Sequence, residues 1–154
     1  MSVFRGKERW AMIATIFLSV LIMTGCATTI KYSYDTKTKF ADQKSYAWAP
    51  SSSLYQPDHL LETNVQDLAD PILAQKGFTK VSEPSDLVIT VNYESDIYNR
   101  QSGYRLRMLN LSIYKTENRE LVWRGTAFGT IDTDAASSDL KDAVQGILSH
   151  FPPK

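Results

Sequence analysis

Leu87-Val88-Ile89-Thr90-Val91-Asn92-Tyr93, followed after a polar break by Leu106-Arg107-Met108-Leu109-Asn110-Leu111-Ser112-Ile113, is the stretch that decides the fold. In the first run Leu87, Ile89, Val91 and Tyr93 alternate with smaller or polar residues, the period of a strand that buries one face. The spacing predicts a strand over 86–98 and a second over 104–115. The second changes phase: Leu106 and Met108 share one parity, Leu109, Leu111 and Ile113 the other. One extra residue in a strand is what a bulge inserts, so a bulge is predicted near Met108. Thr116-Glu117-Asn118-Arg119 then turns the chain into a third strand over 120–131. Local connections alone make these three an antiparallel meander. Gly125 and Gly129 fall inside the last strand, where a missing side chain permits close approach by a helix or an aromatic ring.

Working outward, 31–35 and 44–48 read as two shorter strands separated by a polar turn. Ala49-Pro50-Ser51-Ser52-Ser53 is a loop, because proline removes a donor and the serines compete locally for backbone hydrogen bonds. A helix should start near Asp58, with Leu61, Val65, Leu68, Ile72 and Leu73 on one face and Gly77 as its C′ residue. Pro71 inside that run predicts a bent helix or two short ones. A last helix takes Ser137, Ser138 or Asp139 as N-cap, buries Leu140, Ala143, Val144, Ile147, Leu148 and Phe151, and stops at Pro152-Pro153. Strands grouped together with helices at two points predict an α+β domain over 31–154: one antiparallel sheet packed on one face by two helices.

The N-terminus has a different character. Arg5, Lys7 and Arg9 precede the uncharged run Trp10 to Thr24, a signal-peptide profile. A spanning helix needs roughly 20 apolar residues, and this run is shorter and interrupted by Thr15 and Ser19. Leu21-Ile22-Met23-Thr24-Gly25-Cys26 resembles the lipobox of bacterial lipoproteins, with Met23 where leucine is usual. That resemblance implies a signal peptide over 1–25, cleavage between Gly25 and Cys26, and a diacylglyceryl group plus an N-acyl chain on Cys26. Residues 26–30 would be a lipidated tether. An ordinary signal peptide cut near Ala27 is the alternative, and it would discard the cysteine. Cys26 is the only cysteine, so the domain forms no internal disulfide, and two or more acyl chains suffice for stable anchoring. Ala27 is not the aspartate that retains many lipoproteins at the inner membrane, so the resemblance implies the periplasmic face of the outer membrane in an organism with two membranes.

Without residues 1–25 the chain carries 14 basic against 16 acidic residues, a charge near −2. Phosphate-backbone binding needs clustered Lys and Arg on a basic domain, so no nucleic-acid partner is expected. Nucleophilic catalysis needs a nucleophile, a base and an orienting group together, yet the only histidines are His59, at a helix start, and His150, in a last helical turn. Neither belongs to a catalytic motif. Asp132 and Asp134 are the nearest approach to a metal cluster, and their spacing suits a solvated loop better than a calcium site. No metal or catalytic residue is therefore assigned, and no cofactor beyond the lipid.

Aromatic residues are more suggestive. Tyr32, Tyr34, Tyr46, Trp48, Tyr93, Tyr98, Tyr104 and Trp123 all fall on predicted strands. Most belong to a core, but rings on an uncovered sheet face would anchor a partner or stack on sugars. Tyr98, Arg100, Tyr104, Arg105 and Arg107 form the candidate binding surface, against the plainer reading of a charged strand edge.

Five motifs stand in order: Tyr32-Ser33-Tyr34-Asp35, Tyr46-Ala47-Trp48 after Phe40, Lys76-Gly77-Phe78, Pro84-Ser85-Asp86-Leu87-Val88, and Leu121-Val122-Trp123-Arg124-Gly125. Together with the lipobox they resemble a family of bacterial envelope lipoproteins of unknown function. The resemblance covers nearly the whole chain after Cys26 and implies fold and location; a family name supplies no reaction. The expectation is a lipid-anchored envelope protein acting as a non-enzymatic binding or assembly module, with an envelope protein or polymer as partner. The alternative is an envelope hydrolase or small-ligand-binding protein with an unrecognised site.

Overall fold

The computed structural model describes residues 28–49, 58–82, 84–95, 105–134 and 137–153. The segment carrying Gly25 and Cys26, the serine loop, and the turn with Tyr98, Arg100 and Tyr104 lie outside the described residues. Among the described residues, six strands and two α-helices follow in the order β1 (Thr29–Tyr34), β2 (Ser45–Trp48), α1 (His59–Gln75), β3 (Thr79–Lys80), β4 (Leu87–Ser95), β5 (Arg105–Lys115), β6 (Leu121–Asp132) and α2 (Asp139–Ser149). A 3-10 turn, Phe40–Asp42, stands between β1 and β2.

The strands form one sheet in the order β1-β6-β5-β4-β2-β3. The predicted meander is present, β4 to β5 to β6, and β1 adds antiparallel to its outer edge. The other side departs from the antiparallel sheet expected: β2 runs parallel to both β3 and β4. Helix α1 is the reason. Parallel neighbours need a crossover of a dozen or more residues, and α1 lies between β2 and β4 in the chain. The α+β class with two helices on one face stands, in a mixed sheet.

The bulge is where the phase change put it. Glu94 pairs with Met108 but Ser95 pairs with Leu106, so Arg107 is the extra residue against β4. Toward β6 the register also slips between Leu106 and Met108, there with the additional residue beside Gly129, whose φ is +154°. Leu106 and Leu109 are consequently both buried while Arg107 is exposed.

Helix α1 remains one helix across Pro71 rather than splitting. Pro71 and Asp67, whose carbonyl loses its donor, are both on the exposed side, where water serves in place of the missing N–H. The core lies between the helices and one sheet face. Leu87, Ile89, Val91, Leu109, Leu111, Ile113 and Trp123 meet Val65, Leu73, Val144 and Ile147, all essentially without solvent contact. Gly125 is where the packing is tightest: a Cβ there would stand 2.6 Å from Ile147 Cγ2 and press on the Trp123 indole.

Candidate functional site

The motifs first have to be assigned to fold or to function, and their hydrogen bonds assign most of them to the fold. Tyr46 and Trp48 project from β2 toward α1, where Asp70 Oδ1 accepts from Tyr46 Oη and from Trp48 Nε1, each at 2.8 Å. Lys80 Nζ donates to the other carboxylate oxygen at 2.8 Å. Burial pulls the Asp70 pKa upward, but the donors Lys80, Trp48 and Tyr46 outweigh it and hold the carboxyl below its usual range. Burial, followed by the Asp70 contact, pushes the Tyr46 hydroxyl up. One aspartate thus clamps helix α1 to strands β2 and β3.

The other motifs close turns. Gly77 has φ +88°, its N–H reaches Ala74 O at 3.0 Å, and Phe78 N–H reaches Leu73 O at 3.1 Å. That is the Schellman arrangement, which satisfies the last helical carbonyls. Asp86 Oδ2 accepts from the backbone N–H of Lys44 and of Ser45, at 2.8 and 2.9 Å, and these bonds lower its pKa. Asp35 accepts from Thr38 Oγ1 at 2.7 Å and from Lys37 N–H at 3.1 Å, with the same effect. Trp123 is wholly buried against Phe151, ring centroids 5.2 Å apart, and its Nε1 has no acceptor among the described residues.

The face of the sheet away from the helices carries few rings. Register places Tyr32, Tyr34, Tyr46, Trp48, Tyr93 and Trp123 on the helix side, in line with Gly125, Leu111 and Ile89. The opposite face carries Thr90 and Asn92, half-buried, and the buried Asn110, Ser112 and Thr126. There Asn110 Nδ2 donates to Thr126 Oγ1 and Ser112 Oγ donates to Asn110 Oδ1, both at 2.8 Å. Its corner beside β1 holds Lys31, whose Nζ lies 5.4 Å from the Phe128 ring centroid.

Of the predicted binding surface, Arg105 and Arg107 are described. Both are exposed at the start of β5, and Arg107 Nη2 reaches Glu94 at 3.4 Å. His59 has a side chain 86% exposed, with Nδ1 3.9 Å from Glu62. His150 caps α2 and stacks on Tyr32 at 4.3 Å. His59 thus stands at the start of α1 and His150 at the end of α2. Asp132 Oδ1 accepts the N–H of Asp134 at 2.9 Å, a local turn.

The feature sequence reading missed is a groove. It opens where β1 ends, β2 begins and both helices finish, encloses about 500 Å³, and is lined by Tyr34, Phe40, Phe78 and Pro152 with Lys39, Lys44 and Lys76. Phe40 and Phe78 are its buried floor, and all three lysines are exposed. Asp42 is the one carboxylate among its described lining residues. The lysines come from separate segments, so no local pattern marks them; the available signal was that Phe40 and Lys76-Gly77-Phe78 both belong to the motif set.

A six-stranded mixed sheet with two helices on one face and a basic, aromatic-floored groove at one end defines a small α+β domain without an evident catalytic constellation among the described residues. The profile of DUF4136, a domain of unknown function, matches residues 30–153, and the chain belongs to that family. No curated protein matches it in sequence. Among solved structures, it is similar to a PDZ domain protein from Parabacteroides distasonis at TM-score 0.60 and 16% identity, covering 93% of this chain and 40% of that one. This chain therefore spans about two fifths of that protein's length. The PelC dodecamer from Paraburkholderia phytofirmans matches at TM-score 0.55 and 13% identity, over 80% of this chain and 96% of that one. A DUF4136 family protein from Bacteroides thetaiotaomicron matches at 0.58 and 11%, over 81% and 96%. At such identities the likeness is one of fold.

Proposed function

We propose that the protein is a lipid-anchored bacterial envelope protein, held by Cys26 and working as a non-enzymatic binding or assembly module. The observation that carries the binding part is the groove: among the described residues, three ammonium groups and one carboxylate stand around a floor of two buried phenylalanines. Such a surface suits an acidic segment of an envelope partner, whose charge the lysines meet while its apolar side chains reach the rings. Anchoring rests on the lipobox-like segment and the single cysteine, and Ala27 after it favours the outer membrane's periplasmic face. In-cell crosslinking tests the binding part by comparing the wild type with the triple variant K39E/K44E/K76E. Expected is an envelope partner captured by the wild type and lost from the variant; identical capture by both would reject the groove as the site.

A second reading concerns self-assembly. The PelC structures are dodecamers, and among the described residues β1 is an edge strand paired on one side only. An exposed edge is a template for pairing with another chain. Mass photometry of the detergent-extracted protein decides it: multiples of the monomer mass support assembly, a monomer at all concentrations rejects it.

A further inference from the structure

The tether is too short to let the domain turn freely, and its first fixed point is identifiable. Thr28 packs against Gly129, its Cα 3.5 Å from where a Cβ on that glycine would lie, and Thr29 pairs with Phe128 at the start of β1. Cys26 precedes Thr28 by two residues, a reach of at most about 7 Å. Acyl chains on Cys26 enter the hydrocarbon, which holds its backbone within a headgroup layer about 6 Å deep. The Thr28–Gly129 corner is therefore drawn to the lipid surface whenever the anchor is seated.

That corner has the groups an interface favours. Phe128 is an exposed ring, 39% accessible, at the edge of the sheet face away from the helices. Lys31 stands beside it with Nζ 5.4 Å from the ring centroid, an aliphatic stem with a cationic tip. We propose that Phe128 and Lys31 dock on phospholipid headgroups, the ring toward the acyl boundary and the ammonium on a lipid phosphate, so that the domain is held in one orientation. β1 runs away from this corner for about 17 Å, at roughly 3.4 Å per residue, to Tyr34 at the basic groove. The groove then faces away from the membrane, open to a partner. This inference rests on lipidation of Cys26 and assigns the surface that lipidation brings into contact.

The test uses the lipidated protein purified from membranes and returned to vesicles of phosphatidylethanolamine and phosphatidylglycerol carrying brominated acyl chains, which quench nearby indoles. F128W should lose its added emission in these vesicles, whereas E117W, on the turn at the far end of the sheet, should keep it. Hydrogen exchange on the unsubstituted protein gives a second readout: amides of 29–31 and 128–130 should slow on vesicles relative to detergent, and the turn at 116–119 should not. An intact mass lacking the acyl chains would end the anchoring reading and this inference with it. Correct lipid with equal emission at both positions, and no selective slowing, would overturn the orientation alone.

Discussion

Gly125 and Trp123 share one volume, and a double-mutant cycle measures it. A Cβ at Gly125 would meet Ile147 Cγ2 at 2.6 Å and the Trp123 ring as well, contacts that only displacement of core side chains relieves. Overpacking of this kind costs about 2–3 kcal/mol. Trp123→Ala removes a wholly buried ring and costs about 3–5 kcal/mol. If the sites were independent, the double variant would lose about 5–8 kcal/mol, enough to unfold many domains. With the indole removed, the alanine methyl at 125 and Ile147 have its space to move into, so the double variant should lose only about 4–5 kcal/mol. Urea unfolding followed by far-UV circular dichroism reads all four corners without depending on tryptophan emission. Additive losses, or a Gly125→Ala variant as stable as the wild type, would refute the shared-volume argument.

Asp70→Asn should cost about 1–3 kcal/mol at neutral pH by weakening the clamp on Tyr46, Trp48 and Lys80. Because the folded carboxyl pKa is depressed, its contribution is full above the unfolded value near 4 and fades as pH falls through the folded one. Urea midpoints of the two proteins should therefore converge in acid, and a gap that stays constant below pH 4 would contradict the clamp. Pro71→Ala restores a donor on the exposed side of α1 and should raise stability by about 1–3 kcal/mol. A lower melting temperature would show that the proline ring packs in a way the exposed position does not suggest. Gly77→Ala should lower stability by about 1 kcal/mol, since φ of +88° suits glycine; an unchanged urea midpoint would count against that cap.

Hydrophobic period made the meander legible, and the phase change between Met108 and Leu109 located the bulge, because both are local properties of a strand. Direction is not local. Tyr46-Ala47-Trp48 reads the same whether β2 runs with or against β4, and only the α1 crossover decides. β3 is two residues long and carries no period at all. Asp70 looked like one more polar residue on a helix; its role appears only when Tyr46, Trp48 and Lys80 converge on it. The motifs behind the family resemblance are largely caps, clamps and turn closures, which explains why they identify a fold without naming an activity. The groove lysines were invisible for the opposite reason, since residues 39, 44 and 76 meet only after both helices have packed.

The proposed lipid anchor would account together for the lone cysteine, the short stretch between Cys26 and β1, and a groove at the end of the sheet remote from Thr28. The measurement that tests it most directly is the intact mass of the protein extracted from membranes, alongside Cys26→Ser. The account predicts a chain beginning at Cys26 and heavier by a diacylglyceryl group and an N-linked acyl chain, and a serine variant left unprocessed or released from the membrane. A matured wild-type chain with no lipid on residue 26, or a serine variant that stays processed and membrane-bound, would contradict it.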